Sequence, residues 1–266
     1  MVTESNPTAN PIPPEPKPRK PKPREVTRRA LKLLSRWDVV GLSASIAFFL
    51  AFPSVDLTVS HWFWDGARFP LDSNSVIQGI YYFFAKIYIV ILLWLSFWII
   101  RYRKKLTPLA AARKRLAIFL ITSLLVGPGV LTHIVLKDNS FERPRPRQTL
   151  QFGGEHEYAA PFVYSGACAR NCSFVSGHAA IAFWFITFGW AFRDRRWFWI
   201  GGALAIIVGG SRVAQGAHFL SDIIFACWLT YFVSLMSARY FGYLPIASTS
   251  SVDNKKSPVA ATNPKS

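Results

Sequence analysis

Six long runs of apolar residues, almost free of charge, leave this chain few ways to fold. They cover residues 39–55, 75–100, 116–136, 171–192, 197–211 and 219–238. The second carries only Lys86, the third only His133 and the sixth only Asp222. A bilayer core needs roughly 17 to 25 apolar residues in a helix, because every backbone polar group must be satisfied within the segment. The fifth run is short, but a brief loop joins it to the sixth, and a helical hairpin is its simplest form. A soluble core accommodates one or two such helices, not six. Only 17% of the residues are charged, against about a quarter in soluble domains, while 51% are hydrophobic. The expected fold is all-α, a six-span transmembrane helical bundle with disordered cytoplasmic tails.

The formal charge of +17 also suits a nucleic-acid binder, but such proteins spread Lys and Arg along a groove or helix face. Here the charges fall in blocks between the apolar runs, so no nucleic-acid partner is expected. With six crossings, 23 Lys and Arg fall on the side of the termini and seven on the other. The positive-inside rule then places both termini in the cytoplasm. Residues 1–37, with eight Pro and nine Lys or Arg, read as a solvated basic tail suited to anionic lipid. Residues 38–238 form the membrane domain, and 239–266 a polar tail.

The poorly charged side carries the chemistry. Lys137, Arg143, Arg145 and Arg147 follow the third run; Ser176, Gly177 and His178 open the fourth helix; Arg212, His218 and Asp222 lie between the fifth and sixth runs. Asp222, four residues after His218, shares a face with it if both start the sixth helix. A carboxylate beside an imidazole fixes its tautomer and frees the other nitrogen as base or nucleophile. Arg212 suits a phosphate through paired donors, and Ser176 with Gly177 at a helix N-terminus suits an anion. His133 and Lys86 read as polar groups inside the bundle.

These residues resemble the type 2 phosphatidic acid phosphatase family, which is related to vanadium haloperoxidases. Ser211 and Arg212, five residues, His218, three residues and Asp222 match its third signature. Phe174, Val175, Ser176, Gly177 and His178 resemble the second, with Val175 where Pro is usual. Lys137 and the run Arg143, Pro144, Arg145, Pro146 resemble the first, which has six residues between Lys and Arg-Pro; Arg143 leaves five and Arg145 seven. Both arginines are phosphate-contact candidates, and the spacing favours Arg145. The resemblance implies a metal-independent lipid phosphatase without a cofactor. His218 would attack phosphorus, Asp222 orient it, and His178 protonate the leaving oxygen. Lys137, Arg145, Arg212 and the backbone of Ser176 and Gly177 would hold the phosphoryl oxygens.

The implied partner is an anionic membrane lipid, and the implied place a bacterial inner membrane with the site facing the periplasm. The loop bearing Phe152, Gly153 and Gly154, and then Asn171 to Phe174, looks similar to lipid A phosphatases of this family. Undecaprenyl pyrophosphate or phosphatidylglycerophosphate are alternative substrates, and a non-catalytic lipid-binding or transport protein is the alternative class. Cys168 and Cys172 lie four apart in one loop, where an oxidising compartment permits a disulfide.

Overall fold

The computed structural model describes residues 36–105, 107–137 and 141–244; the basic Pro-rich tail and the end of the polar C-terminal tail lie outside the described residues. Among the described residues the fold is all-helical, with no named strand and one isolated bridge between Thr149 and His156. Contacts divide the chain within its first helix, after Ala44. In the first unit the described residues open that helix, where Arg36 pairs with Asp38. Everything else below concerns the second unit.

The first apolar run is not one straight helix. Helix α1 (Trp37–Ala51) gives way at Pro53 to α2 (Val55–His61), with an 81° bend between them. Proline has no N–H to continue the ladder and its ring clashes with the preceding turn. Helix α3 (Ser75–Tyr102) is capped by the Asn74 side chain, which accepts from Val76 N at 3.0 Å and Ile77 N at 3.2 Å. Its 28 residues stop where Arg103, Lys104 and Lys105 begin. Val90, Leu93, Trp94, Phe97 and Ile100 stand exposed along it, an apolar face suited to lipid.

Helix α4 (Pro108–Leu124) starts at the Thr107 cap with Pro108 in the first turn, where a missing N–H costs nothing. It continues in π-helical form through Leu125–Lys137. Pro128, set between Gly127 and Gly129, removes one ladder bond there, and widened turns of this kind recur at functional sites. The fourth run begins later than its apolar residues suggest. Helix α5 (Gly177–Phe183) leads through a 3₁₀ turn, Trp184–Ile186, into α6 (Thr187–Phe192). Residues 171–176 are spent on the loop and the Ser176 cap, so this apolar helix has fewer than 18 residues. Helices α7 (Arg196–Ala214) and α8 (Leu220–Tyr240) form the expected hairpin. Four helices are thus long and apolar enough to cross a membrane, or five if α1 and α2 count as one broken span.

Interhelical polar contacts fix the packing where apolar side chains alone would let helices rotate. Trp184 Nε1 donates to Ser123 Oγ at 2.8 Å, Thr187 Oγ1 to Ser234 Oγ at 3.0 Å, and Trp228 Nε1 to Ser45 Oγ at 3.0 Å. Around the first of these, Leu95, Phe119, Leu120, Leu124 and Ala238 make a buried apolar cluster. It lies toward the opposite ends of the helices from the polar residues of the three sequence clusters.

Candidate active site

The C-terminal ends of the π-helical segment and α7 meet the N-terminal ends of α5 and α8 around a cup of about 350 Å³. Lys137, Arg145, Gly177, His178, Arg212 and His218 all line it. Residues from three separated stretches of sequence therefore converge on one cavity.

Arg145 and Lys137 are held by a shared partner. Asn171 Oδ1 accepts from Lys137 Nζ at 3.0 Å and from Arg145 Nη2 at 3.1 Å, and its backbone oxygen accepts from Arg145 Nη2 at 2.8 Å. Asn171 has φ +52°, a left-handed conformation that asparagine tolerates better than most residues. It sits inside the ring closed by a Cys168–Cys172 disulfide. That loop is tied down further by Cys172 N donating to Lys137 O and Ser173 N to Arg143 O. The permitted disulfide is formed, and it braces the residue that orients two cations.

Arg143 is not brought into the cup. Its side chain is fully buried, with Nη2 2.8 Å from Asp56 Oδ2 and Nη1 2.6 Å from Asp222 Oδ1. Nε donates to Ala159 O at 2.8 Å, and the guanidinium lies 4.2 Å from the centroid of Phe219. The physical reason for the division is Pro144: its fixed φ keeps the segment extended, so neighbouring arginines project to different sides. Burial alone would depress the Arg143 pKa, but Asp222 and Asp56 outweigh it and raise the value, so the cation is held firmly. Arg145 shifts the other way, through burial and then repulsion by Arg147.

His218 lies just before α8 rather than in it, yet it still meets Asp222: Nδ1 is 3.4 Å from Oδ2. The closer partner of Nδ1 is the Ser173 carbonyl oxygen at 2.8 Å. A carbonyl only accepts, so Nδ1 carries the hydrogen and Nε2 keeps its lone pair. Asp222 Oδ2 accepts from Phe219 N at 2.8 Å and from the Ser173 hydroxyl, so its carboxylate is fixed from four directions. Burial, then Lys137, Arg145 and Arg212, push the His218 imidazole well below its ordinary pKa. Both influences favour the neutral ring, the form in which a nitrogen can act as a nucleophile.

His178 stacks on Tyr81, with centroids 4.8 Å apart, and its Nε2 has no partner among the described residues. Tyr81 also receives the Arg212 guanidinium, 4.6 Å from its ring. Gly177 lets His133 approach closely: a Cβ there would lie 2.7 Å from His133 Nε2, so that ring would have to shift. The Ser176 hydroxyl caps α5 by accepting from Ala179 N at 3.4 Å, so it serves the helix rather than the cavity. Reading His133 and Lys86 as interior groups is corrected: both are exposed, and His133 lines the cup. Tyr81, Asn171, Ser173 and Asp56 carry no spacing signal that marks them. Asp56 alone was discoverable, as a carboxylate in an apolar stretch near a span end.

Four cations and three imidazoles line a cavity at one end of a bundle of apolar helices, which is the make-up of a membrane enzyme that handles a phosphoryl group. Residues 116–245 match the PAP2 superfamily. Three curated relatives, each 31% identical, are lipid A 4′-phosphatases. That of Francisella tularensis subsp. novicida strain U112 aligns over 199 residues, 70% of this chain and 86% of the relative. Those of Rhizobium leguminosarum and Rhizobium etli align over 204 residues, 70% of this chain and 87% and 79% of the relatives. No solved structure matches. The chain belongs to the PAP2 superfamily and is a phosphatase, a hydrolase of phosphoric esters.

Proposed function

We propose that this protein removes the 4′-phosphate of lipid A at the periplasmic face of a bacterial inner membrane, through a phosphohistidine. The observation that carries the substrate is the match, over more than three quarters of their length, to three relatives that bear that activity. The chemistry rests on the cup. In the first step His218 Nε2 attacks phosphorus and the ester P–O bond breaks. The departing sugar oxygen takes a proton from His178, which the negative charge of the bound phosphate holds protonated in the complex. In the second step water attacks the phosphorus of the phosphohistidine, and His178, now neutral, accepts the water proton. Phosphate leaves, and both imidazoles return to their starting states. Lys137, Arg145, Arg212 and the Gly177 N–H hold the phosphoryl oxygens, doing by fixed positive charge what other phosphatases do with metal ions. Asp222, held in turn by Arg143, steadies the imidazolium character that grows on His218.

Phosphate release from lipid A, undecaprenyl pyrophosphate, phosphatidylglycerophosphate and phosphatidic acid in one detergent tests the substrate. Lipid A is expected to give the highest kcat/KM, and a tenfold preference for another lipid would displace this reading. Arg145→Ala is expected to lower kcat/KM by roughly 10- to 150-fold, the worth of one charge-assisted contact of about 1.5 to 3 kcal/mol. Unchanged kinetics would remove Arg145 from the phosphate site.

The topology that fits has six crossings, with the bent α1 and α2 pair as the first and Gly177–Phe192 as the fourth. Both termini and the loop between α3 and α4 are then cytoplasmic. In a Cys227→Ser background, a membrane-impermeant thiol reagent added outside intact spheroplasts should label Glu155→Cys and miss Pro108→Cys. The opposite pattern would invert the topology.

A further inference from the structure

Beside the cup lies a second and larger cavity, of about 610 Å³, that the phosphoryl chemistry does not use. Arg147 lines both, so the two are neighbours through one side chain. Its other lining groups are an aromatic ring and a mixture of donors and acceptors: Trp64, Arg68, Asp72 and Gln215. A pocket of a few hundred Å³ with an aromatic wall and a few placed polar groups has the make-up of a small-ligand site.

Gln215 is the telling residue. It is 1% exposed, and its Oε1 accepts from Arg212 Nη1. That bond fixes which end of the amide is the donor, and the donor, Nε2, has no acceptor among the described residues. A buried N–H without an acceptor is costly and uncommon, and a ligand hydroxyl or carbonyl in the adjoining cavity would satisfy it. The same side chain thus links an arginine of the cup to the second cavity. Trp64 is braced for contact: its ring packs 5.1 Å from Phe69 and 5.7 Å from Phe152, and Gly153 leaves space beside it. Phe69 in turn fills the position a Cβ on Gly216 would need, which fixes the turn between Gln215 and His218. Arg147 and Asp72 stand 3.6 Å apart and half exposed, each with hydrogen-bonding capacity to spare.

We propose that this cavity is a carbohydrate subsite, which takes the hexosamine ring bearing the phosphate to be cleaved. The inference rests on the lipid A reading above and deepens it. A sugar presents C–H faces for Trp64 and a ring of hydroxyl and amide groups for Gln215, Asp72, Arg68 and Arg147. A lipid whose headgroup is a phosphate on glycerol offers no ring face and no amide.

The test uses the full chain in detergent and a di-N-acetylglucosamine disaccharide without fatty acyl chains or phosphate. Saturation-transfer NMR should show the disaccharide bound to the wild type and lost in Trp64→Ala. In steady-state assays on lipid A, Trp64→Ala and the exposed Arg68→Ala should each raise KM about tenfold, the cost of one contact, with kcat held within twofold. A loss of kcat with KM unchanged would mark a structural effect and overturn the subsite, and Arg68→Ala decides the matter if Trp64→Ala does not fold. Disaccharide binding without phosphate release from lipid A would uphold the subsite and overturn the substrate reading. Phosphate release from lipid A with no disaccharide binding and no KM change would overturn the subsite alone.

Discussion

Replacing His218 with alanine is expected to lower kcat on lipid A by at least about a thousandfold while leaving the protein folded. The expectation follows from the way the residue is held. Its Nδ1 hydrogen is accepted by the Ser173 carbonyl at 2.8 Å and approaches Asp222 at 3.4 Å, which leaves Nε2 free for the attack proposed above. Burial and then the surrounding cations favour the neutral ring, whose lone pair needs no prior deprotonation. Removing a covalent nucleophile removes the pathway, whereas removing its orienter only loosens it. Asp222→Asn is therefore expected to retain more activity than His218→Ala. The check is single-turnover phosphate release from purified variants, and a His218→Ala enzyme within tenfold of wild type would contradict the assignment.

The second large effect falls on Arg143, and it is an effect on folding. Its guanidinium lies between Asp56 and Asp222, all three fully buried, with Ser221 Oγ as a further acceptor at 2.9 Å. Ser221 N in turn donates to Asp56 Oδ1 at 2.8 Å, which ties α2 to the start of α8. A methionine in place of Arg143 would leave two buried carboxylates uncompensated. Breaking a buried ion pair on one side costs about 3 to 5 kcal/mol. Arg143→Met is accordingly expected to melt well below wild type even without substrate. Arg143→Lys should recover only part of the loss, since an ammonium cannot supply the fork. Arg145→Ala, which opens only the cup, should melt close to wild type. Thermal unfolding of the three variants in detergent separates the roles. An Arg143→Met protein with wild-type melting and a raised KM would instead place Arg143 on the phosphate.

The spacing between Lys137 and the two arginines, with the fixed φ of Pro144, favoured Arg145 for the cup, and Arg145 lines it. Local sequence could not disclose what Arg143 does instead. Its partner Asp56 lies 87 positions away on a different helix, and nothing in the spacing of either residue points to the other. Asn171 and Ser173 were hidden for a similar reason: they act through a carbonyl or an amide set by loop geometry, and residue type does not announce a backbone contact. Tyr81 looked like one more aromatic in an apolar helix, and only its position against His178 and Arg212 distinguishes it.

The helices were more legible than their ends. Apolar run length located α3, α4, α7 and α8, because lipid-facing and buried positions both demand apolar residues. It misjudged the first and fourth runs, where one proline and one helix cap interrupt the helix without lowering the hydrophobicity. Pro53 turns the chain so that α2 can present Asp56 to Arg143. Ser176 delays the start of α5 until the loop has delivered Asn171 to the cup and Ser173 to His218 and Asp222. Both departures from a plain span are where the site is built.

The measurement that tests the mechanism most directly is to trap the intermediate. Purified wild-type protein is mixed with lipid A carrying labelled 4′-phosphate, quenched within one turnover under alkaline denaturing conditions that preserve phosphohistidine, and digested for mass analysis. Label on the peptide containing His218, absent from the His218→Ala protein, is the predicted result. Label on His178, or turnover of the wild type with no labelled peptide, would contradict the account.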